Sequence, residues 1–173
     1  DEILSEISLL LRKITGFSGL VHENMYRSHG WRFLSLGTSL ERAAGMVRVL
    51  RALGRADAPD GALNLALELG DSIVSHRARF SVVADRASVF HMLALDGNNP
   101  RSVRFHVSRA HQQIKELPGQ TGGAVLGAVA QRILLLETQL ATVTTDRLTP
   151  AMFDQIETEL WALSDALTET YLV

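Results

Sequence analysis

The chain has 173 residues, 46% of them hydrophobic and 21% charged, with a net charge of -2 and no cysteine. That length suits a single globular domain, 1–173, with a core of useful size; the charge balance leaves no basic field to collect nucleic acid or an anionic membrane. Without thiols there are no disulfides, no thiolate chemistry and few routes to structural zinc, and no apolar run approaches the ~20 residues of a membrane helix, so a cytoplasmic place is expected.

The pattern begins in mid-helix at Asp1, which suggests a piece of a longer protein. Ile3, Ile7, Leu10, Ile14, Phe17 and Val21 recur at spacings of four and three, the period of a helix that buries one stripe. A second helix carries Phe33, Leu36, Leu40, Ala43, Val47 and Leu50, and "RADAPDG" at 55–61 ends it. A third is expected near 61–80 on Ala62, Ala66, Leu69 and Ile73, and a short fourth on Val83, Ala87, Phe90 and Ala94. In "DGNNPRS" Gly97 suits a left-handed helix end, Asn99 an N-cap and Pro100 the first position of a fifth helix. That helix continues through Val103, Val107, Ala110, Ile114 and Leu117 until "PGQTGG" breaks it. The sixth runs from Leu126 through Ile133 to Val143, and the seventh opens on Thr149-Pro150 and carries Phe153, Ile156, Leu160, Leu163 and Leu167. No alternating strand pattern competes, so the expected fold is all-α, a bundle of about seven amphipathic helices, mostly antiparallel.

Familiar chemistries find little support. "VHENM" at 21–25 begins like a zinc-peptidase helix, but Tyr26 stands where the second histidine belongs. His22 and His29 alone make no metal site, and His76, His91, His106 and His111 lack ligand spacing. No glycine-rich loop follows a strand and no serine nucleophile elbow is present, so no cofactor is expected and any nucleotide is held by another domain. "NNPRS" offers a helix N-terminus to an anion, although capping alone accounts for it.

Two helix faces are less ordinary. Gly37, Glu41, Gly45 and Arg48 share one side of the second helix, and a glycine inside a helix costs on the order of 1 kcal/mol relative to alanine. Gly16, Gly19, Glu23 and Arg27 repeat the arrangement on the first. Such a pair of faces forms either tightly packed helices tied by Glu–Arg pairs or a polar seam open to a ligand. A third alternative makes Glu23 and Glu41 an acid–base pair in one pocket.

The stretch "FSGLVHENMYRSHGWRFLSLGTSLERA" resembles the signature of the alpha-E family, bacterial helical proteins named for a Glu-Arg motif, here Glu41-Arg42. "DSIVSHRARF" and "LDGNNPRSVRFHV" resemble further stretches of the family in the same order, over residues 14 to 118. The resemblance implies that this chain is the later half of a longer alpha-E protein. It also implies work beside a circularly permuted ATP-grasp ligase, fused or separate, that joins carboxylate to amine on a peptide. Alpha-E would be the accessory part, not catalytic on its own. The site residues it points to are Glu23, Arg27, Trp31, Arg32, Glu41, Arg42, Asn99, Pro100 and Arg101, beside Arg48 from the glycine face. Thr38 and Ser39 stand where the family has basic residues, and His76 and Phe80 where tyrosines are expected.

Overall fold

The structure, a computed structural model, describes residues 2–172. Among them are eight α-helices and no strand. They fall into two compact units, Asp1–Phe33 and Leu34–Val173. The first holds α1 (Glu2–Asn24) and the start of α2 (His29–Leu53). Although α1 has the expected 3–4 spacing, none of its residues is buried.

The second unit holds the rest of α2, then α3 (Ala62–Leu69), α4 (Ile73–Arg79), α5 (Arg86–Phe90), α6 (Val103–Lys115), α7 (Ala128–Thr142) and α8 (Pro150–Tyr171). Its core is built from the stripes read in the sequence: Leu36, Leu40, Ala43, Val47 and Leu50 of α2, and Phe153, Ile156, Leu160, Leu163 and Leu167 of α8, are all buried. α6 packs on α7, and α7 on α8. Phe90 and Phe153 meet edge to face with ring centroids 5.4 Å apart, a geometry that suits the aromatic quadrupoles.

The expected third helix is two. Asp71 takes a left-handed φ of 46° between α3 and α4, and the Ser72 amide reaches back to the Leu67 carbonyl at 2.8 Å. Within α3 it is Leu67, beside Ala66, that faces the core, and Leu69 is exposed. Beyond α5 the chain makes one π-helical turn, His91–Leu95, and Met92, Leu93, Ala94 and Leu95 are all buried.

α6 also begins later than the sequence suggests. Ser102 is its N-cap and accepts from the Phe105 amide at 3.0 Å. Asn99 does not cap it, because its side-chain oxygen accepts from the Arg101 amide at 3.0 Å and its amide donates to the Met92 carbonyl at 2.9 Å. Gly97 is not among the positive-φ glycines, which are Gly61, Gly119 and Gly122. Thr149 does cap α8, with Pro150 in its first turn. In the loop before α7, buried Gln120 donates to the Tyr171 hydroxyl at 2.8 Å and accepts from the Ala130 amide at 3.0 Å.

The end of α2 is the tightest backbone approach. A Cβ on Gly54 would lie 2.6 Å from the Leu50 carbonyl oxygen and closer still to the Phe90 ring. Gly54→Ala is therefore expected to destabilise the protein by about 1–3 kcal/mol, read as a lower midpoint in a urea melt.

Candidate functional site

Within the second unit no neighbour packs closely on the glycine face of α2. A Cβ on Gly37 or Gly45 would meet no atom within 4 Å, so neither glycine serves close packing among the described residues. Glu41 between them is exposed, its side chain 68% accessible, and stands 3.9 Å from Arg48. Arg48 in turn pairs with Glu157 of α8 at 3.1 Å, and Arg51 bridges Asp154 and Glu157 at 2.6 and 2.7 Å. These partly exposed pairs, each worth ~0.2–1 kcal/mol, tie α2 to α8. They leave the Glu41 carboxylate facing water, unlike a general acid or base in a closed pocket.

The corresponding face of α1 is also altered. The helix stops at Asn24, so Arg27 lies in the break before α2, donates to the His22 carbonyl and sits over the Trp31 ring at 4.3 Å. Glu23 is exposed on α1, and Trp31 and Arg32 are half-buried at the start of α2. Glu23 belongs to the first unit and Glu41 to the second.

Asn99 and Arg101 are joined to the hinge between α3 and α4: Asn99 donates to Ser72 Oγ at 3.2 Å, and Arg101 pairs with Asp71 at 3.1 Å. Pro100 is exposed. Asp96, nearly buried, binds Arg79 and accepts from the Asn98 amide at 2.9 Å. Burial favours its neutral form, but the Asn98 amide and the Arg79 guanidinium outweigh that and hold its pKa below the ordinary aspartate value.

One convergence was not legible in the sequence. His106 of α6 is only 2% exposed, and its Nδ1 has no hydrogen-bond partner. Burial, then the charges of Arg42, Arg109 and Arg101, push its pKa down to about 4, against a Pro100 carbonyl that favours the charged ring. Arg42 of the Glu-Arg pair and Arg101 of "NNPRS", distant in sequence, thus act on one imidazole. Among the described residues the side chain of neither Arg42 nor Arg109 makes a hydrogen bond or ion pair. His106 lies three residues beyond Val103 and four before Ala110, so its register with the buried stripe was the available signal.

Thr38 and Ser39, standing where the family resemblance led us to expect basic residues, turn their hydroxyls to the Leu34 and Ser35 carbonyls at 2.8 Å. His76 is buried, hydrogen-bonded to Ser88 at 2.8 Å and stacked on Phe80. A cavity of about 800 Å³ beside Gln139, Asp146, Arg147 and Met152 contains none of the motif residues. Among the described residues no group of three or more His, Asp or Glu is placed to hold a metal ion, and no helix is long and apolar enough to cross a membrane.

Two measurements check this account. Gly37→Ala and Gly45→Ala should each stabilise the protein by about 0.5–1 kcal/mol, because alanine gains helix propensity and meets no neighbour; a loss of stability would reveal a close contact there. His106 takes its proton in the unfolded chain near pH 6.5 but in the folded one only near 4. Its contribution to stability is therefore complete above 6.5 and falls with acid through that window, by at most about 1.4 kcal/mol per pH unit. His106→Gln should remove that part of the slope in melts across the range.

Comparison with known proteins agrees with the motif reading. Uncharacterised proteins from two strains of Mycobacterium tuberculosis and one of Mycobacterium bovis are each 27% identical to this chain over 111 residues. The match takes in 62% of this chain but 13% of each relative, so the chain spans a small part of the relatives it matches. No solved structure matches it. The family described as "a predicted alpha-helical domain with a conserved ER motif" matches residues 3–172, nearly the whole chain, and the chain belongs to this Alpha-E family.

Proposed function

We propose that the chain is a non-catalytic helical module that works in the bacterial cytoplasm beside an ATP-grasp carboxylate–amine ligase, fused or separate. In this reading Arg42 and Arg109 hold a carboxylate of that ligase's peptide substrate. The observation that carries it is the guanidinium of the family motif: among the described residues Arg42 has no carboxylate partner, yet its charge falls on the same buried His106 as those of Arg101 and Arg109. An arginine without a partner beside a desolvated region is suited to a bidentate carboxylate. ATP and the ligation chemistry belong to the ligase.

Arg42→Gln is expected to lower ligation by a co-expressed ATP-grasp partner about tenfold, the loss of roughly one charge-assisted hydrogen bond, with helicity and melting unchanged. Glu41→Gln should lower it less. Equal ligation by wild type and both variants would overturn the proposal.

A scaffold reading is favoured by the ladder from Arg48 and Arg51 to Asp154 and Glu157. On that account Arg51→Gln shifts melting and no charge change affects ligation, so the two readings separate in the same experiment.

A further inference from the structure

We draw no further inference here: the strongest candidate, the buried His106 ring of α6 with its unpartnered Nδ1, belongs to the site already described, and nothing in the structure shows what would reach it.

Discussion

The fold of the second unit depends on satisfying a buried stretch of irregular backbone. Where α5 gives way to the π-helical turn at His91–Leu95, Met92 to Leu95 are buried, and the helix ends at Asp96, whose amide closes the turn on the His91 carbonyl at 2.8 Å. A buried carbonyl left unpaired at such an end would cost on the order of 1–3 kcal/mol. The segment that follows supplies the donors: Asn99 to the Met92 carbonyl, Arg104 to that of Leu95, and the Ser102 hydroxyl to that of Asp96. Supplying them anchors the start of α6. Through Arg79 on Asp96 and Arg101 on Asp71, the same segment fixes α4 and the hinge before it.

This clamp accounts for the position of the cationic corner. Ser102 caps α6 in a register that turns Val103, Val107, Ala110 and Ile114 inward, and His106 is carried in with them. Its ring has to be neutral there, because the desolvated interior and the arginine charges both disfavour a proton.

The regular part of the fold was plain in the sequence because it depends on period. Leu36 to Leu50 and Phe153 to Leu167 sit where their spacing puts them, and Thr149-Pro150 starts α8 as its chemistry dictates. What period cannot show is where irregular backbone sends its side chains. Asn99 looked like a cap and instead serves a carbonyl seven residues earlier; Gly70-Asp71 broke a helix that composition had run through. The glycines around Glu41 suggested a close approach that no neighbour makes. That the charges of Arg42, Arg101 and Arg109 bear on one buried imidazole depends on tertiary structure and left only a faint local trace.

The π-helical turn has a consequence for how this segment can vary in length. A π-turn holds one residue more than the α-helical turn it replaces, and each residue of a helix carries about 100° of rotation. Removing any one residue between His91 and Leu95 would restore an ordinary helix and swing Asp96 about a quarter-turn away from Arg79. The clamp would then face the wrong way. Substitutions that keep the apolar character of this turn leave its geometry intact, so the segment is open to change in composition and closed to change in number.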